Sequence, residues 1–244
     1  MKICVAQTRP VKGDIRTNIE NHKKLISLAV SNRAGMIVFP ELSITGYEPE
    51  LAKELATNQE DPRFDDFQQI SDRSQITIGV GVPTKNNTGL CISMVIFQPH
   101  KARMTYSKKY IHPDEEPFFV SGQNFGCIPG TKPNIAVAIC YELSIPEHSE
   151  NAFKCRANIY IASVAKTAGG VEKAYRSLSE IANKYSMTVL MSNCVGHCDN
   201  FESAGKTAIW NNKGEPVAQL NNSNEGILII DTDTEEVIEK GPSL

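Results

Sequence analysis

Three segments of the chain each set a reactive side chain at the end of an apolar run. In Met36-Ile37-Val38-Phe39-Pro40-Glu41 a carboxylate follows a short strand-like stretch and precedes the turn at Gly46-Tyr47. In Tyr106-Ser107-Lys108-Lys109-Tyr110-Ile111 a lysine pair keeps aromatic company, with Glu115, Glu116, Phe118 and Phe119 just beyond it. In Asn134-Ile135-Ala136-Val137-Ala138-Ile139-Cys140 a thiol ends a strand and opens a turn toward a helix. Taken singly, each has an ordinary reading: a solvated loop carboxylate, a surface lysine, and a buried cysteine acting as a small hydrophobe. Taken as chemistry, a thiol is a nucleophile, a carboxylate can relay its proton, and a lysine can hold a developing oxyanion. A lysine drawn into apolar surroundings also needs a carboxylate to stay charged. A thiol at a strand-to-turn junction meets unpaired backbone N–H groups, which is expected to favour its thiolate and to supply an oxyanion donor.

Strands and helices around these segments must position them. Residues 2–7 and 35–40 read as short strands, and residues 14–33 between them have helical spacing. Ile15, Ile19, His22, Ile26 and Ala29 share one face of that helix, and Asp14 is placed to cap it. Ile76, Ile78, Val80 and Val82 alternate as a strand does. Residues 89–98, 134–140, 158–164 and 187–193 are further strands, and residues 171–186 a helix with Gly169-Gly170 as the loop before it. Past Gly205, residues 206–210 and 216–220 flank the turn-rich Asn211-Asn212-Lys213-Gly214-Glu215, a hairpin, and residues 226–231 follow as another strand. The pattern predicts an α/β fold with a mixed sheet and helices outside. With no linker, repeat or low-complexity tract, residues 1–244 read as one domain.

Together the three segments resemble the signature blocks of the nitrilase superfamily, the carbon–nitrogen hydrolases, whose Glu–Lys–Cys triad runs in this chain order. Phe39-Pro40-Glu41 matches the FPE block, continued by Gly46-Tyr47. Tyr106-Ser107-Lys108 matches the tyrosine-x-lysine block, which selects Lys108 over Lys109. Ile139-Cys140-Tyr141-Glu142-Leu143 with Pro146-Glu147 resembles the CYDxRxPE block. Likeness continues in the opening residues 2–10, in Ser192-Asn193-Cys194-Val195-Gly196, and in Gly205-Lys206-Thr207 with Gly214-Glu215. The resemblance implies a four-layer α-β-β-α sandwich and an amidase-like enzyme that cleaves a small amide or carbamoyl compound with release of ammonia. In that reading Cys140 forms a thioester, Glu41 moves the protons, and Lys108 holds the oxyanion with help from the Tyr141 N–H. The family often adds a second glutamate soon after the lysine; Glu115 and Glu116 both qualify, and Glu115 is preferred. Glu41, Lys108 and Cys140 are expected to converge in one cleft, with the sulfur roughly 3–5 Å from its two partners. The resemblance further implies a homodimer or larger homo-oligomer that needs no organic cofactor and no metal.

Departures from the family pattern bear on the substrate. Glu142 and Ser144 stand where the block usually has aspartate and arginine, and the helix at 171–186 lacks the family's arginine–glutamate pattern. The chain also stops soon after Gly241, so a carboxy-terminal arm is expected to be missing. Simple amides, carbamoylated amines and ω-amides of dicarboxylates remain open; nitriles fit less well, because the block reads as CYD-type rather than CWE-type.

Composition narrows the class. With 41% hydrophobic and 22% charged residues, the chain resembles ordinary soluble proteins. A net charge of −3 and a pI near 6.0 offer no footprint for nucleic acid or an anionic membrane. No apolar run approaches the roughly 20 residues of a spanning helix, and MKICVAQ opens without a secretory pattern. A cytoplasmic protein with its seven cysteines reduced is therefore expected, Cys4, Cys91 and Cys155 serving as small hydrophobes. Rival chemistries find little: Cys194, His197 and Cys198 lack a fourth metal ligand, and there is no GxSxG, GxxxxGK[ST] or GxGxxG motif. A papain-like pair would need His112 or His148. The alternative from another class is a binding or assembly protein that kept the scaffold, since a fold does not fix a function.

Overall fold

β-branched and other apolar residues recur at strand spacing along the chain, and in the folded protein both faces of most strands are buried. A computed structural model describes residues 1–123 and 126–241. The first half contains β1 (Lys2–Gln7), α1 (Ile15–Ser31), β2 (Met36–Val38), α2 (Ala52–Leu55), α3 (Asp65–Ser74), β3 (Thr77–Lys85), β4 (Leu90–Phe97) and β5 (Met104–Ser107). The second contains β6 (Ile135–Ile139), α4 (Pro146–Lys154), β7 (Ile159–Val164), α5 (Ala168–Tyr185) and β8 (Thr188–Asn193). It continues through β9 (Val195–Cys198), β10 (Phe201–Ala204), β11 (Ala208–Trp210), β12 (Pro216–Gln219), β13 (Gly226–Asp231) and β14 (Val237–Lys240).

One sheet has the order β14-β13-β1-β2-β3-β4-β5 and a second the order β12-β11-β8-β7-β6, while β9 and β10 form a separate hairpin. β1, β2 and β3 run parallel, as do β6, β7 and β8. Alternate strand residues then sort into layers. Val5, Val38, Met94 and Ile96 of the first sheet meet Val137, Ile139, Ile161 and Leu190 of the second in an inner core. The outer face of the first sheet packs Cys4, Ile37, Ile78 and Val80 against Ile19 and Ile26 of α1 and Phe67 of α3. The outer face of the second packs Ala136, Tyr160 and Val189 against Ala152 of α4 and Leu178 of α5. Each such aliphatic side chain stabilises by about 1.5–3 kcal/mol on burial, so three cores of this size hold the layers together. The result is the α-β-β-α sandwich expected from the resemblance. Two hydroxyls cross between the sheets: Ser163 Oγ donates to the Phe39 carbonyl at 2.8 Å and Ser192 Oγ to the Ala6 carbonyl at 2.6 Å.

Three sequence expectations change. Helix α5 starts at Ala168, because Thr167 Oγ1 caps it by accepting from the Gly170 N–H at 3.2 Å, so Gly169-Gly170 lie in its first turn and not in a loop. The hairpin β9–β10 and helix α3 were not foreseen. The cysteines are not all reduced: Cys127 and Cys155 form a disulfide. The end of α4 carries Cys155 up to the segment entering β6, a long-range meeting that composition and an odd cysteine count cannot report.

Candidate active site

Glu41 sits in a tight turn after β2. Ile44 N–H donates to the Gly81 carbonyl on β3 at 3.0 Å. Glycine is required there because a Cβ at position 81 would collide with the Pro40 carbonyl and the Leu42 nitrogen. Leu42 itself takes a left-handed backbone, φ 51°. Helix α1 braces the turn from outside: His22 Nδ1–H donates to the Asn18 carbonyl at 2.7 Å, leaving Nε2 to accept from Ser43 Oγ at 2.9 Å. Burial lowers His22 to a pKa of about 4, so it is neutral, and its ring stacks on Phe39 at 4.0 Å.

Lys108 follows β5, fixed by its own N–H to the Ile92 carbonyl at 2.8 Å and by the Gly122 N–H to its carbonyl at 2.7 Å. Its ammonium is wholly buried and donates to Glu41 Oε1 at 2.8 Å and to Glu115 Oε1 and Oε2 at 2.7 and 2.8 Å. Glu115 also accepts from the Tyr47 hydroxyl and the His112 N–H, each at 2.9 Å. Glu116 is exposed, and so is Lys109, whose ammonium lies over the Tyr110 ring at 5.2 Å. The structure therefore brings Glu115, not Glu116, to the lysine.

Cys140 follows β6 in a left-handed conformation, φ 46°, and starts the 3-10 turn Cys140–Ser144 ahead of α4. Such a backbone persists in a non-glycine residue only where its surroundings over-determine it. The thiol interacts with the Glu41 carboxylate closely enough to favour its charged form, although Glu41 Oε2 makes no hydrogen bond of regular geometry. Sulfur, carboxylates and ammonium thus form one cluster.

Charge within the cluster is unevenly shared. Burial raises the Glu41 pKa, opposed by the attraction of Lys108 and reinforced by Glu115. Burial alone would lower Lys108, but Glu41, Cys140 and Glu115 outweigh it, and the lysine stays charged. The Cys140 thiol is pushed up to about 11 by burial and then by Glu41, against the pull of Lys166 and Lys108. The expectation that the strand end would favour a thiolate is therefore corrected: two carboxylates and desolvation outweigh two lysines.

The cluster opens into a cavity of about 320 Å³. Tyr47, Cys140, Tyr141, Lys166, Thr167 and Phe201 are among its walls, with His112 and Asp114 at the side of Glu115. A larger hollow of about 660 Å³, between Asn58, Thr88 and Ser121, is lined by neither thiol nor carboxylate. The residues that sequence reasoning missed are Tyr47 as a Glu115 donor, Lys166 beside the thiol, and Phe201 from the unforeseen hairpin. Tyr47 belonged to a recognised block; Lys166 and Phe201 carried no local signal.

Rival groupings come apart. The Cys194 and Cys198 sulfurs lie 3.5 Å apart in the interior, whereas His197 is exposed and reaches Glu202 at 3.5 Å. Among the described residues no group of three or more His, Cys, Asp or Glu is arranged to hold a metal ion. His148 is buried with Tyr106 and Tyr160 at its two nitrogens. His112 reaches the cavity wall, where it pairs with Asp114 at 3.5 Å.

The sequence profile of the carbon–nitrogen hydrolases matches residues 2–240. The chain belongs to that family. As a carbon–nitrogen hydrolase it is 24% identical to a protein of Staphylococcus aureus named hydrolase in agr operon, over 97% of this chain and 93% of that one. It is 22% identical to a glutamine-dependent NAD(+) synthetase of Thermotoga maritima, over 97% of this chain but 42% of that longer protein. Among solved structures, an amidase from Nesterenkonia sp. AN1 in complex with butyramide superposes with a TM-score of 0.86 at 19% identity, covering 96% of this chain and 92% of that one. A second structure of that amidase, with acrylamide added at its active-site cysteine, gives a TM-score of 0.85 at 19% identity. At these identities the likeness establishes a shared nitrilase-type fold. No helix among the described residues of this carbon–nitrogen hydrolase is long and apolar enough to cross a membrane.

Proposed function

We propose that this chain hydrolyses the C–N bond of a small linear amide through a thioester on Cys140, with carbamoyl compounds as the neighbouring substrate class. The observation that carries this reading is a buried lysine shared by two carboxylates, 2.8 Å from Glu41 and 2.7 Å from Glu115, beside a thiol that opens into a small cavity. Glu41, with its raised pKa, takes the proton from sulfur as Cys140 attacks the carbonyl carbon. It passes that proton to the leaving nitrogen, ammonia departs, and Glu41 then activates the water that cleaves the thioester. The Lys108 ammonium and the Tyr141 backbone N–H supply donors for the oxyanion. Glu115 keeps Lys108 charged and in place.

An ammonia-release screen over small amides, ureido compounds and nitriles tests the reading, with Lys108→Ala and Lys109→Ala alongside. Turnover of a simple amide is expected. Losing one preorganised donor in Lys108→Ala should cost about 100- to 1,000-fold, whereas Lys109→Ala, which keeps its backbone and removes only an exposed side chain, should keep most activity. Equal damage from both substitutions would refute the assignment of Lys108. Absence of any turnover, with an accessible Cys140, would favour a binding protein on the same scaffold.

A further inference from the structure

We propose that Glu142 is a positioning residue for this reaction, a buried carboxylate that fixes the spacing between Lys108 and Cys140. The inference rests on the acyl-transfer reading above. β5 is the last strand of the seven-stranded sheet and β6 the last of the five-stranded one, so no strand ladder joins the ends that carry the lysine and the thiol. Glu142 joins them. Its Oε1 accepts from the Lys109 N–H at 2.8 Å, one residue past Lys108. Its Oε2 accepts from the Ile139 N–H at 2.9 Å, one residue before Cys140, and from the Tyr106 hydroxyl on β5 at 2.8 Å. The side chain has no solvent exposure and does not line the cavity, so it acts on the reaction only through the groups it holds.

A relay of neutral groups steadies this strap. Tyr106 donates to Glu142, and its oxygen lies 2.8 Å from His148 Nε2. His148 Nδ1 lies 2.9 Å from the Tyr160 hydroxyl. The assignment that satisfies every group puts the histidine proton on Nε2, with Tyr160 donating to Nδ1. Burial keeps His148 neutral, as that assignment needs. Tyr106 stands on β5 and Tyr160 on β7, so the relay also spans the two sheets. Hydrogen bonds to a carboxylate are roughly twice as strong as neutral ones. The strained backbone of Cys140 begins one residue past the strapped N–H. Oxyanion donors must lie about 3 Å from the position of the nascent charge, and a misplacement of about 1 Å costs on the order of 100-fold. A carboxylate that locks the lysine strand to the cysteine strand meets that tolerance.

Glu142→Gln is the decisive variant, because it keeps the size but replaces one acceptor oxygen by an amide NH2 that faces a donor needing an acceptor. Glu142→Asp keeps both oxygens on a shorter arm. Two readouts are taken: amide turnover, and the pH profile of Cys140 alkylation by iodoacetamide, which needs no known substrate. Glu142→Gln should lower kcat by about 10- to 100-fold with KM within about threefold. Its alkylation profile should move to higher pH as Lys108 recedes from the thiol. Glu142→Asp should recover most of both. An unchanged profile and kcat in Glu142→Gln, a loss carried by KM, or a loss that Glu142→Asp does not reverse would each overturn the proposal. Should the glutamine variant not fold, Tyr106→Phe removes one of the donors to the carboxylate and should shift the profile less, in the same direction; no shift there overturns it. If the wild-type protein turns over no amide, the acyl-transfer reading fails while the alkylation profiles still decide the strap.

Discussion

Cys140 lines the cavity and Glu41 is buried behind it, and burial drives both groups toward their neutral forms. The Cys140 thiol is held at about 11 and the Glu41 carboxyl lies above its ordinary range. The proton therefore rests on sulfur at neutral pH, and in the proposed reaction a thiolate arises only as the carbonyl carbon is attacked. A standing thiolate, open to oxidation, is avoided. This pairing makes an unusual prediction for Glu41→Gln. Removing the carboxylate charge takes away one of the forces that raise the thiol, so Cys140 should titrate below about 11 while amide turnover drops by about 100- to 10,000-fold for want of a base. Iodoacetamide labelling followed by peptide mapping across pH, beside an ammonia assay, reads both effects. A thiol that titrates at or above the wild-type value would mean that Glu41 does not act on Cys140 as its charge requires. Glu41 and Cys140 stood out in the sequence because each follows an apolar run, and Lys108 through the aromatic company of Tyr106 and Tyr110. The thiol's acidity was not legible, because it depends first on burial and then on how closely Glu41 and Lys166 approach from distant parts of the chain.

At the scale of elements, α1 does more than cover the outer face of its sheet. Asn18 Nδ2 donates to the Ile44 carbonyl at 3.0 Å, and His22 receives Ser43, so one helix turn holds two adjacent residues of the segment that follows Glu41. His22 is neutral in this clamp, with a folded value of about 4 against an ordinary 6.5, and no charged side chain contributes to the shift. A depressed folded-state pKa contributes stability that is fully present above pH 6.5 and is lost as pH falls toward about 4. The amount is about 3 kcal/mol for a fully buried group. Thermal midpoints of the wild type and His22→Gln between about pH 7 and pH 4 should diverge accordingly, the wild type losing more on acidification. Parallel pH dependences would refute the assignment. Helix α1 was legible from Ile15, Ile19, His22 and Ile26 on one stripe, whereas α3 was not, because it buries only Phe67 and Ser71. The β9–β10 hairpin was hidden for a related reason: His197 and Glu202 interrupt its short strands, and Asp199 turns between them with φ 44°.

For the molecule as a whole, Glu41 follows a central strand of the seven-stranded sheet, whereas Lys108 and Cys140 follow the edge strands β5 and β6, and the β6 edge is built from one continuous stretch. Cys127 precedes β6 and Cys155 caps α4, so their disulfide encloses the strand, the Cys140 turn and the helix behind it. The layers were legible from apolar periodicity, because period and burial are local properties of each strand. The disulfide was not, since pairing depends on where α4 ends relative to a segment 28 residues away. Closing a loop of that length removes chain entropy from the unfolded state and should stabilise the fold by about 3–4 kcal/mol. For a chain of this size that corresponds to a fall in thermal midpoint of roughly 6–16 °C on loss of the bond. The clean comparison is Cys127→Ser/Cys155→Ser against the wild type by calorimetry, each with and without reductant, which separates this bond from any redox response of Cys194 and Cys198, whose sulfurs lie 3.5 Å apart. The wild type should drop to the variant's midpoint on reduction, and the variant should not move. A wild-type midpoint unaffected by reductant and equal to that of the double variant would show that α4 and the β6 edge are held by packing of Ala152, Ala138 and Leu143 without help from the bond.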